Sequence, residues 1–298
     1  MASLPCIRVP MILARGAIGA MMATLQKEDN GTIQAAQLYW DAAAENYEEV
    51  FSGTIIGRTR RKAMWRELQR LFGKGNRVLE INCGTGLDAV FLAQQGVELV
   101  ACDLSPQMIE KARRHAASAE VGDRVEFFAL ATENLGDLDD RGLFDGGFSN
   151  FSGLNCVDDL AAVQVQLAKR LKPGAPLLLC MIGRFALWEI VWFLLHKKPE
   201  LAFRRLREKA SGIDKSPALK IHRPSVKEIC SQFAPGFRLR RWRGIGIMVP
   251  PSYMEHWARR FPRAIGVLAA LDQTIEGLPL FRNLADCVVL EFERVGDL

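Results

Sequence analysis

Between Arg77 and Ile182 short apolar runs alternate with helical patterns, and this rhythm constrains the fold more than any other feature. "RVLEI" (77–81), "ELVACD" (98–103), "RVEFFAL" (124–130), "FDGGFSNF" (144–151) and "APLLLCMI" (175–182) are short and bounded by turn residues. They read as buried strands. "LDAVFLAQQ", "QMIEKARRHA" and "DDLAAVQVQLAKRL" read as the helices between them. Gly96 is a natural stop for the first. Ser105-Pro106 opens the second with a capping hydroxyl and a proline at the first helical position. The third starts on Asp and ends on Lys-Arg, which suits the helix dipole. Strands that alternate with helices build an α/β fold, a doubly wound parallel sheet with helices on both faces.

The flanks depart from this rhythm. From Ile33 to Phe72 the pattern is helical, broken near "FSGTIIG", and forms a helical N-terminal flap. After residue 183, "FALWEIVWFLLHKKPELAFRRLREKA" reads as one or two helices without a strand, and "RPSVKEICSQFA" as a returning helix. "FRLRRWRGIGIMV" and "DCVVLEFERV" supply two late strands. Residues 1–30 are expected to be a flexible leader, because Arg15 splits their apolar stretch into runs too short to span a membrane. Residues 31–298 are expected to be one domain, with an acceptor-side insertion at about 184–222.

Of the 298 residues 49% are hydrophobic and 24% charged, so a core forms without disulfide or metal staples. The net charge of +5 permits acidic partners without demanding nucleic acid. Seven cysteines are scattered singly with no C-x-x-C pair, and four histidines show no ligand spacing. No metal site is expected, and a reducing cytoplasm fits best.

"VLEINCGTGLDA" (78–89) carries the chemistry. A strand, a glycine turn and a helix place backbone N–H groups at the carboxyl end of a parallel sheet. Gly84 and Gly86 let the backbone approach a ligand. Asn82 suits a position that needs an unusual φ. Asp103 ends the second strand, where an acid accepts the hydroxyls of a ribose. Gly84-x-Gly86-x-x-Ala89 also fits a dinucleotide, which leaves a nicotinamide-dependent oxidoreductase as an alternative. Glu80 favours a different ligand, since an acid there repels a pyrophosphate and suits a positive charge. Asn150 and Phe151 follow the fourth strand, where a bound ligand would lie.

At this point the sequence resembles the class I S-adenosylmethionine-dependent methyltransferases. Glu80-Ile-Asn82-Cys-Gly84-Thr-Gly86 looks like their first motif, with Asn82 in place of the first glycine. "VACDLSPQMIEKARRHA" resembles the second-strand motif, "ATENL" the adenine segment, "LFDGGFSN" the fourth-strand motif and "LKPGAPLLLCMI" the turn into the fifth strand. "YWDAAAENYEEVF" is similar to the N-terminal segment of the small-molecule and quinone-biosynthesis branch.

The resemblance implies a mostly parallel seven-stranded sheet with its last strand antiparallel. It implies S-adenosyl-L-methionine as cofactor. Asp103 would meet the ribose, Leu104 the adenine with Met108 nearby, and Tyr47 the methionine end. Ala131 stands where the family usually offers an acid, so Thr132 and Glu133 would carry the adenine contact. "SNFSG" replaces the Asn/Asp-Pro-Pro-aromatic motif of the nucleic-acid branch, which argues against a nucleic-acid acceptor.

The implied reaction is methyl transfer to a small acceptor, lipophilic acceptors included, at O, C or N. It needs alignment more than a catalytic side chain, and none is assigned. His222, Tyr253 and His256 are the candidates should a base be required. Arg58 is a weak candidate for the cofactor carboxylate. A non-catalytic methyltransferase-like binding protein is a further alternative. The helix around Trp188 and Trp192 reads first as a lid packed on the core, and a peripheral membrane contact is the less favoured reading.

Overall fold

The computed structural model describes residues 29–138, 141–207, 210–212 and 219–296. The expected leader lies outside them apart from residues 29–30. Those two open α1 (Asp29–Ala44), which is followed by a π-helical turn (Glu48–Ser52) and α2 (Ile55–Leu71). The alternating part runs β1 (Arg77–Ile81), α3 (Leu87–Gln94), β2 (Glu98–Asp103), α4 (Pro106–Ser118), β3 (Val125–Ala129), β4 (Gly146–Ser149), α5 (Leu160–Arg170) and β5 (Pro176–Ile182). The late part holds α6 (Leu187–Leu195), α7 (Pro199–Ala202), α8 (Arg204–Arg207), β6 (Ala210–Gly212), β7 (Lys220–His222) and α9 (Val226–Phe233). It ends with β8 (Phe237–Ile245), α10 (Glu255–Arg260), α11 (Pro262–Ile275) and β9 (Cys287–Arg294).

Seven strands form one sheet in the order β3-β2-β1-β4-β5-β9-β8. The pairs from β3 through β5 are parallel, and β9 runs antiparallel to both its neighbours. The mostly parallel sheet and its antiparallel last strand are as the resemblance implies. Strand order reverses between β1 and β4, so the crevice beyond their carboxyl ends is the natural ligand site.

The pleat explains the core. Val78 joins the layer beneath α2, α3 and α4, with Met64, Leu92 and Ala112. Its neighbour Leu79 joins the opposite layer, with Val163, Leu167 and Ile229 from α5 and α9. Successive strand residues face opposite sides, so a run buried on both faces is mostly apolar, and buried Glu80 is the exception in β1. Leu79 is fully buried, and its truncation to alanine would cost about 2–5 kcal/mol.

Helix ends follow the local chemistry. Ser105 Oγ accepts from the Met108 N–H at 3.1 Å, and Pro106 opens α4 as expected. Gly96 closes the turn after α3 at φ +85°, a conformation that favours glycine. Thr54 Oγ1 accepts from the Gly57 N–H at 2.9 Å and starts α2. Ser225 and Glu228 form a reciprocal capping box on α9.

Two features depart from expectation. The insertion contains the hairpin β6–β7, whose three-residue strands are too short to leave a periodic signal. The late strand β8 stops at Ile245, because Gly246 turns at φ +74°. Its arginines form a charge ladder. Arg240 pairs with Glu293, Arg241 with Glu291 and Glu67, and Arg243 with Glu67 and Glu276. No helix among the described residues is long and apolar enough to cross a membrane.

Candidate active site

The turn after β1 is built on three left-handed residues, Asn82 at φ +57°, Gly84 at +54° and Gly86 at +73°. Asn tolerates this region better than most residues, and here its side chain adds a second service. Asn82 Nδ2 donates to Thr132 Oγ1 at 2.7 Å, and Ser149 Oγ donates to Asn82 Oδ1 at 3.0 Å. The loop after β1 is thereby tied to β4 and to the segment after β3. Gly153 accommodates this arrangement, since a Cβ there would lie 2.2 Å from that of Asn82. The two loop glycines differ. A Cβ on Gly86 would meet Ala112 Cβ of α4 at 2.7 Å, whereas a Cβ on Gly84 would meet nothing within 4 Å. Gly86 serves helix packing, and Gly84 faces open space.

Asp103 bridges two backbone donors. Its Oδ2 accepts from the Gly84 N–H at 2.8 Å and its Oδ1 from the Ser105 N–H at 2.9 Å. Burial pushes its pKa up, and these donors pull it back. Each carboxylate oxygen has two lone-pair sites, so one on each remains for a diol.

A buried charge cluster lies beside this loop. Arg61 Nη1 stands 2.7 Å from Asp88 Oδ1. Trp65 Nε1 donates to Asp88 Oδ1 at 2.7 Å, and Asn150 Nδ2 to Asp88 Oδ2 at 2.8 Å. The Arg61 guanidinium also covers the Phe151 ring at 4.6 Å. Burial works against the charge of Arg61, and the surrounding groups, led by the Asp88 carboxylate, together raise its pKa. Glu80 is 1% exposed. Its Oε2 has no hydrogen-bond partner, while its carboxyl accepts from the Ala89 N–H. Burial, with the negative charge of Asp88 second, raises its pKa well above the ordinary carboxylate value. Phe151 is held at φ +48° and Ser152 at +76°. Such conformations are costly for non-glycine residues and cluster at ligand sites.

One cleft of about 820 Å³, open mouth included, joins these groups. Tyr47, Asn82, Gly84, Asp103, Leu104, Met108, Thr132, Glu133, Asn150 and Phe151 line it. Of the residues expected from the sequence, Gly86 packs away from the cleft and Glu80 does not line it. The sequence reading missed Arg61, Asp88, Trp40 and Cys156, which also line it. Arg58 is exposed and donates to the Gly53 carbonyl, and Arg61, one turn along α2, is the arginine in the site.

None of the three base candidates lines the cleft. His222 Nε2 stands 2.6 Å from Asp158 Oδ1 outside it. Tyr253 belongs to an aromatic cluster with Trp188 and Trp257, and His256 is exposed. Within the cleft, burial pushes the Tyr47 hydroxyl up to about 12 and the Cys156 thiol up to about 12. Both groups keep their protons at neutral pH.

Comparisons with known proteins agree with this geometry. Residues 78–174 match the family described as "Methyltransferase domain". The tRNA 5-carboxymethoxyuridine methyltransferase of Escherichia coli (strain K12) is 31% identical over 100 residues, 32% of this chain and 38% of that protein. The ubiquinone biosynthesis O-methyltransferase of Xanthomonas axonopodis pv. citri (strain 306) is 35% identical over 115 residues, 39% of this chain and 46% of that protein. The chain thus spans less than half the length of these curated relatives. An S-adenosylmethionine-dependent methyltransferase from Mesorhizobium loti shares the fold, with a TM-score of 0.53 and 17% identity over 79% of this chain and 98% of that one. The matched segment begins in β1, holds the glycine loop and Asp103, and ends just before β5.

Proposed function

We propose that this class I S-adenosylmethionine-dependent methyltransferase domain binds S-adenosyl-L-methionine in the cleft and methylates a small acceptor at O, C or N. The observation that carries the reading is the buried Glu80 carboxyl with an unpartnered oxygen, set beside a glycine loop whose outer side is open. A buried carboxyl with one unpaired oxygen is costly, and a cationic ligand group nearby lowers that cost where a pyrophosphate would add to it.

The cleft's residues divide the cofactor among them. Asp103 takes the ribose hydroxyls, and Leu104 and Met108 flank the adenine. Thr132 and Glu133 serve its edge. Arg61 meets the carboxylate of the methionine end, and Glu80 supplies negative potential below its amino group and sulfonium. Tyr47, Asn150 and Phe151 border the methyl side. When bound, the cofactor supplies an electrophilic methyl group on a sulfonium, which leaves as a neutral thioether. The protein aligns the acceptor in line with that bond and excludes water. Trp40, Tyr47 and Phe151 offer flat apolar surfaces for an acceptor ring.

One observation favours a small molecule over nucleic acid: the β8 arginines have glutamate partners. Calorimetry of the purified chain with S-adenosylhomocysteine and with NAD tests the cofactor. Binding of S-adenosylhomocysteine alone is expected, and binding of NAD alone would overturn the reading. A mass-spectrometric screen for a gain of one methyl group, over phenolic, quinol and amine acceptors and bulk tRNA, tests the acceptor class.

A further inference from the structure

Exposed apolar side chains are unevenly placed. Of the eleven large ones that stand exposed among the described residues, nine lie between Val191 and Leu280. On α6 the outer face carries Val191 at 43%, Leu194 at 47% and Leu195 at 76%. Across from it, Phe261 is 45% exposed and Val267 on α11 is 62% exposed. A ladder of rings joins the two sides, with Trp188 6.3 Å from Trp257 and Trp257 5.4 Å from Phe261. The patch therefore continues from α6 across α10 to the start of α11.

Cations border this patch. Lys197 and Lys198 are exposed directly after α6, and Arg259, Arg260 and Arg263 are exposed around Phe261. Residues 190–199 and 256–271 contain no Asp or Glu; beside them Glu200 is exposed and Glu255 pairs with Arg259. The single acid of α6, Glu189, is 2% exposed and turned inward onto Arg204 and Arg205. Lys and Arg can lay their stems on an apolar surface while their charges reach outward.

We propose that the α6–α10 face docks on the surface of a bilayer that contains anionic phospholipid. Leu194, Leu195 and Phe261 enter the boundary of the acyl chains, and Lys197, Lys198 and Arg260 meet the phosphates. Charge complementarity selects this occupant. A second copy of the chain, packed through the same patch, would set these cations against themselves. With no membrane-crossing helix among the described residues, the contact is peripheral. It stands whether or not the cleft transfers methyl groups.

Sedimentation of the full chain with unilamellar vesicles tests this. Vesicles of phosphatidylcholine with phosphatidylglycerol should pellet the protein, and vesicles of phosphatidylcholine alone should not. Raised salt should weaken the binding, because exposed charges are screened. Leu194→Glu/Leu195→Glu and, separately, Lys197→Glu/Lys198→Glu should each weaken it by about tenfold or more. Thermal melting and S-adenosylhomocysteine affinity should be unchanged in both, since all four residues are exposed and outside the cleft. Failure to bind anionic vesicles, or equal binding by wild type and both variants, would overturn the proposal. So would a dimer in analytical ultracentrifugation that Leu194→Glu/Leu195→Glu dissociates, which would make a second copy the occupant.

Discussion

Arg61 and Asp88 form a buried ion pair at 2.7 Å that ties the N-terminal flap to the helix after the glycine loop. Both side chains are less than a tenth exposed. Arg61→Ala would leave Asp88 charged and buried beside Glu80. Breaking such a pair from one side costs about 3–5 kcal/mol. Urea denaturation should show a loss of that size. Arg61→Lys should keep part of the stability but lose the contact with Ser52 Oγ, because a lysine lacks the guanidinium fork.

Asp103→Ala should weaken S-adenosylhomocysteine binding by roughly 1.5–3 kcal/mol, the worth of hydrogen bonds to a charged acceptor. Calorimetry reads this directly. An affinity equal to wild type would remove Asp103 from the ribose.

The two loop glycines should separate folding from binding. Gly86→Ala meets Ala112 and should lower the melting temperature. Gly84→Ala meets no neighbour, so its folding cost is limited to backbone strain of about 1–2 kcal/mol. Its methyl group would still stand where a ligand approaches. Gly84→Ala should therefore lose cofactor affinity out of proportion to its loss of stability, and Gly86→Ala should show the reverse.

Glu80 gives a pH signature. Its carboxyl holds a proton more tightly in the folded chain than in the unfolded one, because burial and then Asp88 disfavour its charge. Stability linked to that proton is whole below the ordinary carboxylate range. It is lost as pH rises through the raised folded value. Melting curves over about pH 5 to 9 should fall more steeply on the alkaline side for wild type than for Glu80→Gln. A cationic ligand favours the charged form of Glu80, so binding should release more protons in wild type than in Glu80→Gln. Calorimetry of S-adenosylmethionine binding in buffers of different ionisation enthalpy measures that release.

The strands were legible because parallel strands buried on both faces are short, mostly apolar and bounded by turn residues. "RVLEI" and "ELVACD" coincide with β1 and β2. Asp103 and Gly84 were legible because strand ends and glycine turns have fixed places in this topology. Arg61 and Asp88 were not. An arginine on a charged helix reads as solvated, and only its register against the core tells otherwise. One signal was present: Ile56, Arg60, Met64 and Leu68 follow one another at four-residue spacing, so Arg60 sits on the apolar stripe of α2. All four are buried. The hairpin β6–β7 left no such trace.

Arg60 is the neighbour of Arg61, yet it serves a different client. It pairs with Asp286 at the start of β9, and Asp286 also meets Arg205 at 2.6 Å. These two arginines hold the Asp286 carboxyl well below the ordinary carboxylate range against the pull of burial. This pairing constrains any exchange of the late region for that of a relative. A graft must bring its own acid to position 286, or Arg60 is left stranded one residue from the arginine that faces the cleft. A swap that ends with the insertion keeps Arg60 and Asp286 together and needs only a cation in place of Arg205.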